Sequence, residues 1–245
     1  MNKLILIVAM VFCVGNISAQ SGEWTWVHGP QLGSNPNGNY GVKGVAALSN
    51  VPPARYQAAY WKDLDGNFWV FGGVNFNNSV MTIYNDLWKF DITIKQWTWV
   101  HGPQAASNVS GQYGTMGISS PLNIPPARSW GANCWTGIDG KLYLFGGFGS
   151  QDFNDLWQYD IPSNEWTWIG GSALGGVLPS YGTKGVAAAS NNPGSRAECK
   201  SGWTINNQLW LFGGQSLVQT MNDLWKFDLN TNLWTWESGE NAPPI

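Results

Sequence analysis

Two histidines, His28 and His101, are the only imidazoles in the chain. Both stand in the same five residues, Trp-Val-His-Gly-Pro, and a third related segment carries Gly170 at that place. Equivalent positions in separate repeats lie apart, so the pair does not predict a shared metal. No Gly-x-Ser-x-Gly elbow marks a nucleophile,. Glu165, Glu198 and Glu237 have no recognisable partner for the two-carboxylate chemistry of glycoside hydrolysis,. Asp63-x-Asp65-Gly66 resembles the start of a calcium loop but lacks the closing glutamate, and a hairpin turn explains it better,. The expectation is therefore no catalytic residue, no metal, no cofactor and no enzyme.

The remaining reactive side chains recur, and the recurrence shows what must position them. Arginines stand at 55, 128 and 196, steps of 73 and 68 residues. Phe-Gly-Gly places Gly72-Gly73, Gly146-Gly147 and Gly213-Gly214; Asn-Asp-Leu-Trp places Asp86, Asp155 and Asp223. A further aspartate follows in each unit at 91, 160 and 228, and Trp-Thr-Trp occurs four times, from 24, 97, 166 and 234. Each unit reads as four short strands. The first follows the arginine, as in 129–135. An Asp-Gly turn (Asp65-Gly66, Asp139-Gly140), with both central residues at positive φ, leads to the second, as in 141–145 or 208–212,. The third carries Asp-Leu-Trp and the fourth Trp-Thr-Trp. Four antiparallel strands per repeat describe a propeller blade, so the fold class is all-β, a β-propeller of four-stranded antiparallel blades with three blades present.

The Gly-Gly pair, the third-strand aromatic and the tryptophan seven residues later resemble the Kelch repeat. Here these are Gly72-Gly73, Phe90, Trp97; Gly146-Gly147, Tyr159, Trp166; and Gly213-Gly214, Phe227, Trp234. The resemblance covers roughly residues 22–240 and implies a secreted bacterial type similar to the propeller framework of galactose oxidase. The clustered Tyr, His and Tyr–Cys cross-link of that enzyme's copper site have no counterpart in two scattered histidines. The units exceed the usual Kelch length of about 50 residues, and the surplus lies between the fourth strand and the next arginine.

The boundaries expected are 1–19, a signal peptide; 20–54, an orphan outer strand at 23–27 plus a long inter-blade loop; 55–127 and 128–195, blades 1 and 2 with their loops; and 196–245, blade 3. Lys3 followed by the apolar run 4–14 and a small residue at Ala19 supports the first, and predicts export to the outside or the cell surface,. The apolar run is too short for a membrane span. Phe12 before Cys13 argues against a lipid anchor. Three blades fall short of the four to eight that close a propeller. The expectation is a truncated frame or fragment, with self-association of two arcs into a six-bladed ring as the alternative.

The recurring arginines and aspartates suggest fork-to-carboxylate pairs that fix register; three arginines facing a central channel to hold an anion is the other arrangement. Cys134 and Cys199 sit at different offsets from their arginines, so free thiols are expected over a disulfide. Of 17 tryptophans, sixteen hold repeated positions and read as packing; Trp130 alone is outside the pattern. Trp130 and the loop residues Tyr40, Tyr113 and Tyr181 are the candidate ligand contacts, although the tyrosines could equally fold back as braces. The segments 28–54, 101–127 and 170–195, with the insert at 74–84, are expected to line one face of the disc. With 12 basic against 15 acidic residues and no basic run, the nucleic-acid footprint is missing,. The functional expectation is an extracellular protein-interaction or adhesion module, with a carbohydrate-binding or carbohydrate-active protein as the alternative; the partner is a protein or a glycan.

Overall fold

A computed structural model describes residues 22–30, 37–77, 80–104, 109–216 and 219–241. The signal peptide expected at 1–19 lies outside them. Alternating apolar residues make the strands, because successive side chains of an extended chain face opposite sides. In chain order these are β1 (Ala59–Lys62), β2 (Phe68–Phe71), β3 (Val74–Asn77), β4 (Val80–Ile83), β5 (Leu87–Asp91), β6 (Gln96–His101) and β7 (Asn133–Thr136). There follow β8 (Leu142–Phe145), β9 (Leu156–Asp160), β10 (Glu165–Gly170), β11 (Gly202–Ile205), β12 (Gln208–Gln215), β13 (Thr220–Asp228) and β14 (Leu233–Ser238). They form three four-stranded antiparallel sheets, β1-β2-β5-β6, β7-β8-β9-β10 and β11-β12-β13-β14, and a separate hairpin β3-β4. The fold is all-β, three propeller blades. No helix among the described residues is long and apolar enough to cross a membrane.

The core lies between the sheets. Blade 1 contributes Ala59, Trp61, Trp69 and Phe71 to a cluster with Leu142, Leu144, Tyr159 and Trp166 of blade 2. Blade 2 turns Trp135, Tyr143 and Phe145 onto Leu209, Leu211, Phe227 and Trp234 of blade 3. Both faces of β8 are therefore buried, and that strand is apolar throughout.

Three expectations change. The Asp-Gly turns are not built from two residues at positive φ: only Gly66 (89°) and Gly140 (78°) are left-handed. Gly66 N–H donates to the Asp63 carbonyl at 3.1 Å and Asp63 N–H to Asn67 at 3.0 Å, a type I turn closed by a left-handed glycine. The segment 23–27, expected as an outer strand with no blade of its own, is not a strand and joins no sheet among the described residues; β6, β10 and β14 hold the outer position of each blade. Finally, the long segments do not simply line one face. Within their described residues they fold back on the outer strand of the blade that follows: Gly44 and Gly117 donate to Trp99 and Trp168 at 2.8 Å each, and Gly185 to Trp236 at 2.8 Å.

Candidate functional site

Each blade carries the same buried clamp. The Arg128 fork donates to both oxygens of Asp155 at 2.7 Å and to the Gly146 carbonyl at 2.8 Å. Arg55 grips Asp86 at 2.6 and 2.8 Å and reaches Gly72; Arg196 grips Asp223 at 2.8 and 3.1 Å and reaches Gly213. The tryptophan two residues after each aspartate adds an indole donor at 2.7 to 2.8 Å: Trp88, Trp157 and Trp225. Tyr40, Tyr113 and Tyr181 then donate their hydroxyls to the same carboxylates at 2.7, 2.7 and 3.0 Å. One donor on Oδ1 and three on Oδ2 engage both oxygens of each buried carboxylate, so these aspartates are committed to the clamp. Burial would raise the Asp86 pKa, but the charge and donors of Arg55, with Tyr40 and Trp88, hold it below the ordinary value. Burial, then the Asp155 charge, pushes the Tyr113 hydroxyl up.

This clamp corrects the reading of Tyr40, Tyr113 and Tyr181 as ligand contacts. Their hydroxyls are engaged within the chain, and their rings lie on Trp88, Trp157 and Trp225 at 4.9 to 5.2 Å. The arginines are likewise enclosed, which excludes the anion channel. Asp91, Asp160 and Asp228 sit at the third-strand ends, where Asp91 caps the backbone N–H groups of Thr93 and Ile94. Asp63 is buried and accepts from Asn67 and Trp69, so it serves its own hairpin. Among the described residues no group of three or more His, Cys, Asp or Glu could hold a metal. His28 and His101 lie edge-on against Phe90 and Tyr159 of successive blades. Cys134 and Cys199 are free thiols, pushed up to about 12 chiefly by burial.

The open chemistry lies at the inner rim, two residues beyond each arginine. Gln57, Trp130 and Glu198 occupy this one slot, and all three are left-handed, at φ 55°, 49° and 51°. Non-glycine residues held so carry strain of order 1 kcal/mol or more, and such positions cluster at functional sites. Backbone bonds from Glu198 to Trp130 (2.7 Å) and from Cys199 to Gly131 (2.9 Å) fix the geometry across blades 2 and 3. The Trp130 ring stands edge-on to Phe148 at 5.4 Å and packs on the apolar base of the β3-β4 hairpin, Val74 and Ile83. Trp130 and Phe148 form one wall of a crevice of about 330 Å³, with Glu198, Gln215 and Asp152 on the others. Beside it, exposed Tyr56 stacks on Phe76 of the hairpin at 6.1 Å. Trp130, the one tryptophan outside the repeat pattern, shares its slot with Gln57 and Glu198; the constant offset of two residues from the arginine was the available signal for that equivalence.

Four-stranded blades locked by a Gly-Gly pair and an outer-strand tryptophan define a Kelch-type propeller, a fold that serves as a scaffold for protein interaction. Residues 115–245, just over half of the chain, match the KLHDC2/KLHL20/DRC7 Kelch-repeats domain, and the chain belongs to that Kelch-repeat family. It is 27% identical over 233 residues to Kelch repeat-containing protein 2 of Saccharomyces cerevisiae, covering 89% of this chain and 21% of that protein. It is 24% identical over 199 residues to the dynein alpha chain of the flagellar outer arm of Chlamydomonas reinhardtii, covering 80% of this chain and 4% of that one. The chain thus spans about a fifth or less of the length of these relatives. Among solved structures, YjhT is similar in fold, with a TM-score of 0.51 at 16% identity over 80% of this chain and 55% of that one.

Proposed function

We propose that this chain is an exported protein-interaction module that takes a cationic side chain of its partner at the rim crevice between blades 2 and 3. The observation that carries the reading is the crevice itself: an aromatic wall, Trp130 and Phe148, bordering the exposed carboxylate of Glu198. A guanidinium or ammonium gains from both a ring face and a carboxylate. Strained backbone at Gln57, Trp130 and Glu198 supports a binding role for this rim,. Export rests on residues 1–19 and cleavage after Ala19; N-terminal sequencing of the secreted protein should begin at Gln20, and retention in the cytoplasm would refute it.

The test is selection of displayed random peptides on the wild-type chain, on Trp130→Ala and on Glu198→Gln. Peptides rich in Arg or Lys are expected on the wild type and to be lost on both variants. Enrichment without basic residues, or retained on both, would contradict the proposal. A carbohydrate reading is favoured by the same aromatic wall beside the Gln215 amide, since sugars stack and hydrogen-bond in such places; binding to a glycan array that depends on Trp130 would establish it instead.

A further inference from the structure

One cross-strand row recurs in every blade and changes in the middle one. In blade 1 it runs Trp61, Trp69, Lys89, Thr98, each paired with the next across β1, β2, β5 and β6. In blade 3 it runs Trp203, Trp210, Lys226, Thr235 across β11, β12, β13 and β14. In both, the lysine ammonium lies over the second-strand indole, Lys89 at 6.0 Å from the Trp69 ring centre and Lys226 at 5.6 Å from that of Trp210. Blade 2 keeps the ends of the row, Trp135 and Thr167, but has Tyr143 and Gln158 between them. Packing explains residues that hold a repeated place; it does not explain the loss of both the indole and its lysine in one blade.

The exchange puts two smaller side chains at the junction of blades 2 and 3, and a groove of about 520 Å³ lies there. Tyr143, Gln158 and Thr167 line one side, and the turn residues Asn207, Leu229 and Asn232 of blade 3 line the other. Its volume falls within the roughly 300 to 1,000 Å³ of small-ligand sites. The groove opens at the strand ends that carry the β7-β8 and β9-β10 turns. The rim crevice lies at the opposite ends, where Trp130 precedes β7 and Phe148 follows β8. The two share no lining residue.

The charges in the groove are engaged within the chain. Lys141 and Asp160 face each other at 3.8 Å. Asp139 accepts from the Tyr143 hydroxyl at 2.8 Å and from the Lys141 backbone N–H at 3.2 Å. An anion would meet two carboxylates, and a cation would find both already occupied. What remains open is neutral. Thr167 is 6% exposed, and its hydroxyl bonds to nothing among the described residues. The Ser119 and Ser163 hydroxyls and the Gln158 amide N–H groups are also unengaged there. Ser119 stands where the other two folded-back loops have Ala46 and Ala187, so the added polarity is again confined to this junction. A buried hydroxyl without a partner costs free energy, and a ligand carrying hydroxyls of its own recovers it. Ile169 and Leu229, packed against the core of blades 2 and 3, give the groove an apolar floor.

We propose that this groove binds a small neutral saccharide of one or two rings, independently of the rim crevice. Sugar hydroxyls both donate and accept, as do the serine and threonine hydroxyls they would meet. They supply the partners that Thr167, Gln158 and the two serines lack, while the C–H face of the ring rests on Ile169 and Leu229. A lysine in place of Gln158, as in blades 1 and 3, fills this space.

Saturation-transfer difference NMR on the purified full chain, with glucose, galactose, mannose, N-acetylglucosamine, lactose and cellobiose at millimolar concentration, provides the test. Transfer to at least one sugar is expected. Gln158→Lys installs the residue of the other two blades, so it should keep the wild-type far-UV circular dichroism while weakening that sugar about tenfold or more, the worth of one or two neutral hydrogen bonds. Ser163→Ile, which places the blade 1 residue Ile94 at an exposed position on the groove's edge, should weaken it likewise and decides the matter if Gln158→Lys does not fold. Trp130→Ala should bind as the wild type does. Absence of transfer to every sugar of the panel would overturn the proposal, and so would binding that survives both groove substitutions. Binding lost in Trp130→Ala alone would also overturn it and put the sugar at the rim.

Discussion

Replacing Arg128 by lysine keeps the positive charge and discards the fork. Arg128 is fully enclosed and donates four hydrogen bonds: two to Asp155 at 2.7 Å, one to Gly146 at 2.8 Å and one to Pro126 at 3.2 Å. Its guanidinium also lies 4.5 Å from the Phe153 ring centre. A lysine ammonium is compact and cannot span both Asp155 oxygens and the Gly146 carbonyl. Losing two charge-assisted bonds at roughly 1.5 to 3 kcal/mol each, with charge retained, gives a destabilisation of about 3 kcal/mol. This lies at the lower edge of the roughly 3 to 5 kcal/mol for breaking a buried pair outright. For a domain of this size about 1 kcal/mol moves Tm by roughly 2 to 4 °C, so the expected fall is about 6 to 12 °C. Near-UV circular dichroism reads it directly, because the tryptophans adjoin the clamps. Lys89→Ala is the control: Lys89 and Asp91 are partly exposed at 3.9 Å, and such pairs contribute under about 1 kcal/mol. If Arg128→Lys melts within about 2 °C of wild type, the clamp is not what holds the blade, and the reasoning fails.

Other expectations follow from the same geometry. Tyr113→Phe removes one donor from Asp155 and should lower Tm by about 2 to 8 °C, from the roughly 1 to 2 kcal/mol of one such bond; it should leave peptide selection unchanged, and lost binding would restore Tyr113 as a contact. Burial, then the Lys43 charge, holds the His101 pKa below its usual value. The unfolded chain therefore gains a proton near pH 6.5 while the folded chain does not, so stability falls as pH drops from 7 towards 5 and His101→Gln should flatten that slope; urea titrations at each pH provide the check. Burial also predicts that Cys199 reacts with a thiol reagent far more slowly in the folded chain than in denaturant,, and equal rates would contradict the placement.

The blades were legible because packing must repeat where the fold repeats. Trp-Thr-Trp, Asp-Leu-Trp and Phe-Gly-Gly each fix a strand, and the recurrence of one arginine and one Asp-Leu-Trp aspartate in every repeat pointed to a pair. The first strand was read too early, from Ser129, because Ser129 instead bridges to Phe148 and Trp130 is left-handed. The turn type was missed because Asp-Gly serves both a two-residue turn and a type I turn with a left-handed glycine. The tyrosines were ambiguous for a different reason: an aromatic hydroxyl on a long loop shows its partner only once the loop folds back. The rim crevice was invisible as a site because its members come from four separate segments of two blades, and no local pattern joins Trp130 to Glu198 and Gln215.

The central claim, that the partner is taken at the rim and the clamps only hold the blades, is tested most directly by following indole N–H resonances of the 15N-labelled chain during titration with a selected basic peptide. Trp130, assigned by Trp130→Phe, should shift in a saturable way while Trp88, Trp157 and Trp225, bonded to Asp86, Asp155 and Asp223, stay in place. Movement of those clamp indoles with Trp130 unchanged would contradict the account.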